Sequence, residues 1–270
     1  MLTMLRWEEA FASILLPSKP PGYFAVIPAP RLRWTRFAVS PRFRMKRPIP
    51  GGLLIAVEGI DGAGKTTVAA TITQWCGEHG LLCALSKEPT SLKWGRKLRE
   101  SAATGRLTLD EELDLFHKDR EDHASNSIQP ALDEDAIMIL DRYYWSTAAY
   151  QGARGAKVKE VLDFNESNFP VPDLVLLLDL PVEVGQNRIR VRGDQPNSFE
   201  ETSAQEKCRE IFLTLPKKSA ARCEIVYASK PWRDVSKECL RLFQQAALQK
   251  LWKAGDASSM SSETLALFGG

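Results

Sequence analysis

One segment constrains this chain more than any other. A continuous apolar run, Leu53-Leu-Ile-Ala-Val57, enters Gly59-Ile-Asp-Gly-Ala-Gly-Lys-Thr66, and a helix-compatible stretch follows from Thr67 to about His79. A short run without polar alternation predicts a strand covered on both faces. The glycines let the backbone curl so that successive N–H groups converge, and the following helix adds positive partial charge at the same place. Gly-x-x-x-x-Gly-Lys-Thr is the phosphate-binding loop pattern: Lys65 reaches the β- and γ-phosphates of a nucleotide, and the Thr66 hydroxyl ligates Mg²⁺. A plain glycine-rich turn rarely has both the apolar strand before it and the helix after it. Gly59, Asp61, Gly62, Ala63, Gly64, Lys65, Thr66 and Thr67 are therefore the expected nucleotide-binding segment, with ATP and Mg²⁺ as cofactors.

The rest of the chain alternates in the same manner. Leu81 to Leu85 predicts a second strand ending at Glu88-Pro89, and helices are expected at about 92–103 and 109–132. Ala136 to Leu140 predicts a third strand with Asp141-Arg142 at its carboxyl end, and Asp173 to Asp179 a fourth. Pro181 suits a first helical turn, so a helix is expected to about Arg192, then the polar segment Gly193–Ser198 and another helix from about Glu200. Glu224 to Tyr227 predicts the fifth strand, and 232–252 a closing helix. The order predicts an α/β, three-layer P-loop NTPase fold: a five-stranded parallel sheet, helices on both faces and a small lid. Ligands in such sheets bind outside the carboxyl ends of the strands, where these motifs fall.

Three further groups fit that chemistry, each with a plainer alternative. Asp141 either holds Mg²⁺ beside Thr66 or makes a strand-end salt bridge, and the loop favours the metal. Arg142 is expected to clamp a phosphate with its planar fork. Arg188 and Arg192 share a helix face; they form either a solvated basic face or part of a lid that neutralises charge and excludes water. Phe116 and Arg120 also share a face, either as core ring and surface guanidinium or as a pocket that stacks a base and bonds its carbonyl.

Composition sets the outer limits. Residues 1–50 hold nine Lys/Arg, two Asp/Glu and eight of the sixteen prolines, so they carry about +7 while the remainder is mildly acidic. This stretch fits a targeting peptide, an arm for an anionic partner, or a lead ahead of a true start at Met45. The acidic body argues against nucleic acid as a partner. No apolar run is long enough to span a membrane. The five scattered cysteines read as reduced thiols in a cytoplasmic protein, and neither they nor the three histidines cluster as zinc ligands. Residues 51–252 read as one domain, and 253–270, rich in Ser, Gly and Ala, as a flexible tail.

Val57-Glu-Gly-Ile-Asp-Gly-Ala-Gly-Lys-Thr-Thr67 resembles the opening motif of thymidylate kinases. Glu88-Pro89, Phe116-x-x-x-Arg120 and Asp141-Arg-Tyr-Tyr-Trp-Ser-Thr-Ala-Ala-Tyr-Gln-Gly152 are similar to later motifs of that family, in its order, over about residues 53–250. The resemblance implies a homodimer that phosphorylates dTMP, with Lys65, Asp61, Arg142, Arg188 and Arg192 catalytic. It puts Asp61 near the acceptor's 3′-hydroxyl and phosphate, and Glu88-Pro89, typically cis, beside the monophosphate. Arg96 would bind that phosphate, Phe116 would stack on thymine and Arg120 would bond its carbonyl. Thr147 and Gln151 would line the nucleoside pocket, and Tyr150 would crowd the sugar C2′ position. Ala63, where some members carry arginine, implies that the lid supplies the catalytic arginine. Departures are Lys87 and Thr90 around Glu-Pro, bulky Trp145, and Phe212 where members often have tyrosine. A kinase for another nucleoside monophosphate or deoxynucleoside, a slow nucleotide-hydrolysing switch, and a degenerate binding domain remain as rivals. The guanine-reading Asn-Lys-x-Asp motif is absent.

Overall fold

A computed structural model describes residues 48–105, 107–192, 202–253 and 266–268. Its strands are β1 Leu53–Glu58, β2 Cys83–Lys87, β3 Ile137–Asp141, β4 Leu174–Asp179 and β5 Cys223–Tyr227. All pair in parallel in the order β2-β3-β1-β4-β5. The central strands β1 and β3 are buried throughout, whereas the edge strands β2 and β5 are half open. That is why the central strands read as unbroken apolar runs. Register then assembles the site. Asp141 pairs with Val57 on one side and Lys87 on the other, so the loop after β1, Glu88-Pro89 and Asp141-Arg142 end along one edge.

The helices are α1 Lys65–Glu78, α2 Lys93–Thr104, α3 Leu109–His123, α4 Gln129–Asp133, α5 Tyr144–Ala153, α6 Val158–Asn168, α7 Val182–Arg192, α8 Thr202–Thr214 and α9 Trp232–Lys253. They cover both faces of the sheet. Helices α1 and α9 pack together against it, while α5 packs with α6 and α8. Helix α3 starts at a reciprocal cap: the Thr108 hydroxyl accepts from Glu111 N–H at 3.3 Å, and Glu111 accepts from Thr108 N–H at 3.0 Å. The single helix expected over 109–132 is instead interrupted by a π-helical turn, Ala124–Ile128. Pro130 has no N–H to give to a carbonyl four residues back, and just before it Gln129 N–H reaches Ala124 O, five residues back.

Four other expectations change. Strand β2 lies two residues later than predicted, and α5 and α6 occupy a stretch to which the sequence pattern assigned nothing. The N-terminal boundary moves earlier, because Ile49 is fully buried and its N–H bonds Asp135 O at 2.8 Å. The tail is not loose at 266–268: Phe268 is buried, with its ring 5.8 Å from Trp75 and 6.3 Å from Phe243. The predicted lid segment Gly193–Ser198 and residues 1–47 lie outside the described residues.

Candidate active site

The loop from Gly59 to Thr66 turns out of β1 into α1 through positive φ at Gly59, Gly62 and Gly64. Gly62 is also where α7 touches the loop. A Cβ there would meet Gly185 O at 2.3 Å, and one on Gly185 would meet Asp61 O at 2.6 Å. The two glycines thus allow two backbones to pack directly, seating α7 on the loop. Lys65 donates to the loop's own Ile60 O at 2.7 Å. Burial and the Arg142 guanidinium pull its ammonium down to about 8. Beside it the Thr66 hydroxyl donates to Asp141 Oδ2 at 2.5 Å, joining the two predicted metal residues. Among the described residues no three His, Cys, Asp or Glu side chains gather for a metal. A hydroxyl–carboxylate pair nevertheless suits Mg²⁺, which keeps waters and takes phosphate oxygens rather than needing a protein cage.

Of the cavities beside the loop, two gather most of the predicted residues. On one side a space of about 470 Å³ is bounded by Gly62, Ala63, Gly64 and Thr67, by Arg188 and Arg192, and by Trp232. Arg188 links two parts of its lining, donating to Ala228 O at 2.8 Å and Gly62 O at 3.4 Å. Both arginines predicted for the lid therefore line this cavity, on α7. The sequence did not single out Trp232, which is 60 % exposed there.

On the other side a cavity of about 240 Å³ brings together Asp61, Glu88, Pro89, Phe116, Arg120, Arg142, Thr147, Tyr150 and Gln151. Arg120 is wholly buried on α3. Its Nε and Nη2 donate to Glu88 Oε2 at 2.9 and 2.6 Å, Nη2 to Thr147 Oγ1 at 3.0 Å, and Nη1 to Asn165 Oδ1. His123 meets the other Glu88 oxygen at 3.0 Å. Burial pushes the Glu88 carboxyl up, but Arg120 and His123 outweigh it and hold it below its ordinary value. Arg120 is thus no surface residue: the buried pair fixes its plane. The Glu88-Pro89 bond is cis. Thr90, one of the departures noted above, is held by Asp119, which accepts from its N–H at 2.7 Å and its hydroxyl at 2.6 Å.

Where this cavity meets the loop, Arg142 pairs with Asp61 and lies 5.3 Å from the centre of the Tyr150 ring. Burial pushes the Asp61 carboxyl up, but the Arg142 and Lys65 cations prevail and hold it at about 2. Arg142 has φ +71°, an uncommon conformation for a residue other than glycine. It is held from below: Glu58 accepts from Tyr143 N–H at 2.8 Å, Ser146 N–H at 3.1 Å and the Ser146 hydroxyl at 2.6 Å. Glu58 so caps α5, whose own N-cap, Tyr143, has no capping side chain. Burial nonetheless raises the Glu58 carboxyl to about 7.

One predicted residue is not brought to these cavities. Arg96 and Arg99 are both exposed, and of the two only Arg99, about one turn on, lines the smaller cavity. It donates to Pro89 O at 2.8 Å and Thr90 O at 2.5 Å. Residues three apart lie near one face of a helix, so spacing alone does not separate Arg96 from Arg99; Leu98, buried beside Arg99, marks the inward face. Trp145 does not alter the pocket, because it is buried elsewhere with its Nε1 donating to Ser219 Oγ at 3.1 Å. Phe212 packs edge-on to Tyr150 at 6.3 Å. Gln205, which no motif suggested, is buried and donates to Asp61 Oδ2 at 3.3 Å.

Comparison with known proteins identifies the family. A family model described as thymidylate kinase matches residues 57–239. A thymidylate kinase of Xanthomonas oryzae pv. oryzae (strain PXO99A) is 47% identical over 220 residues, covering 81% of this chain and 93% of the relative. One from Xanthomonas campestris pv. campestris (strain B100) is 53% identical over 166 residues, 62% of this chain and 73% of the relative. One from Xylella fastidiosa (strain M12) is 48% identical over 167 residues, 62% of this chain and 76% of the relative.

Proposed function

This chain belongs to the thymidylate kinase family, and we propose that the gap between its two cavities is where the γ-phosphate of ATP meets dTMP. The protein is a nucleoside-monophosphate kinase that converts dTMP to dTDP. ATP lies along the Gly59–Thr67 loop with its base toward Arg188, Arg192 and Trp232, and Lys65 leaves Ile60 O for the β- and γ-phosphates. The acceptor's base enters the smaller cavity against Phe116 and Arg120. Its sugar faces Tyr150, and its phosphate faces Arg142 and Arg99. Thr66 and Asp141 would hold Mg²⁺, which would neutralise phosphate charge when bound. Positioning and charge dominate phosphoryl transfer, so cations held at both ends of the transferring group are the machinery required.

The observation that carries this assignment is the Asp61–Arg142 pair, which sits where the acceptor cavity opens onto the phosphate loop. The family resemblance supports a homodimer, and the free cysteines among the described residues suit a reducing compartment such as the cytoplasm. Among the described residues no helix is long and apolar enough to cross a membrane. Replacing Arg142 by Ala tests the reading: kcat/KM for dTMP should fall by about 10³ or more. Near-wild-type kinetics would remove Arg142 from the site.

A further inference from the structure

The acceptor cavity contains an amide whose orientation is dictated by its neighbour. Gln151 is fully buried on α5. Its Nε2 donates to Glu112 Oε2 at 3.1 Å, while its Oε1 is buried without a hydrogen-bond partner. The two ends of an amide have nearly the same shape, so only the surroundings determine which faces a ligand. Here the surroundings leave no choice, because a carboxylate can only accept. Glu112 is 4% exposed and pairs with Arg154, which also donates to Leu107 O at 3.2 Å. Turning the Gln151 amide over would set its oxygen against the Glu112 carboxylate in a buried site.

Gln151 lines the cavity, and Oε1 is the amide end that Glu112 leaves as an unpartnered acceptor. Arg120 lines the same cavity, and beyond its bonds to Glu88, Thr147 and Asn165 it retains one Nη1–H. An acceptor and a donor together complement the N3–H and C4=O edge of thymine or uracil. Cytosine presents the reverse pattern, a bare N3 beside an amino group, and would set lone pair against lone pair at Gln151.

We propose that Glu112 is a positioning residue for base choice: by fixing the Gln151 amide it makes the cavity accept keto pyrimidines and reject cytosine. The inference rests on this cavity being the acceptor's base site.

The test compares kcat/KM for dTMP and dCMP in the full chain, in Glu112→Gln and in Glu112→Asp. A glutamine at 112 both donates and accepts, so it permits either orientation of Gln151. The preference for dTMP over dCMP should then shrink by on the order of tenfold to a hundredfold, chiefly through better use of dCMP, and Glu112→Asp should retain it. A merely structural role would slow both substrates together and leave the ratio unchanged, which would overturn the inference. Wild-type protein without dTMP turnover would instead overturn the function proposed above. If Glu112→Gln does not fold, the wild type can be assayed with the dTMP analogue carrying C3–H in place of N3–H. At least a tenfold loss is expected, and equal use of analogue and dTMP would refute an N3–H read by Gln151.

Discussion

Glu58 offers a quantitative test of how the acceptor side is held. Its carboxylate accepts three hydrogen bonds from Tyr143 and Ser146, yet burial raises the group from 4.5 to about 7. At about 1.4 kcal/mol per pH unit, that gap is worth about 3 kcal/mol. The folded chain holds this proton more tightly than the unfolded one. The contribution is therefore full below pH 4.5 and is lost as pH rises through 7. Glu58→Gln cannot ionise, so urea unfolding of both proteins from pH 4 to 8.5 isolates the effect. Wild-type stability minus that of the variant should fall by about 3 kcal/mol across the window and stay flat above it. His117 acts in the opposite sense, since burial lowers it to about 4 and it gains stability up to pH 6.5, but both proteins share it and the difference cancels it. A difference independent of pH, or rising with it, would refute the burial argument.

Three further outcomes follow from geometry. Arg99→Ala should raise KM for dTMP by on the order of tenfold to a hundredfold while Arg96→Ala leaves it unchanged; equal effects would return the phosphate contact to Arg96. Gly62→Ala forces a Cβ to 2.3 Å from Gly185 O at φ +79°, so it should lower stability by about 2 kcal/mol or more. An unchanged Tm in a thermal melt would contradict the contact between loop and α7. Asp141→Asn should raise the Mg²⁺ concentration for half-maximal rate by about tenfold or more, and an unaltered Mg²⁺ titration would remove Asp141 from the metal.

The central sheet was legible because its middle strands are buried on both faces and leave unbroken apolar runs. The edge strand β2 was displaced by two residues because only part of it is covered, so its pattern fades into the flanking loop. The phosphate loop, Asp141 and Arg142 could be read from short local spacing. Phe116 and Arg120 could be paired from their spacing, though core ring and surface guanidinium fitted it equally; Thr147, Tyr150 and Gln151 were reached only through resemblance, and α5, which carries those three, begins beyond any pattern that was assigned. Its N-terminus is capped by Glu58 from another strand, 85 residues away in sequence from Tyr143, so no local cap announces it. Arg99, Glu112 and Gln205 depend on which face of a helix turns inward and what lies opposite, which tertiary packing decides. Trp145, a departure by its size, packs its indole into the core.

The most direct test of the account is coupled ADP release by the full chain with ATP, Mg²⁺ and each nucleoside monophosphate in turn. Strong turnover with dTMP, weak turnover with UMP and none with thymidine is the expected result. Absence of dTMP-stimulated ADP release would contradict the assignment of the acceptor cavity while leaving the phosphate loop as a nucleotide site.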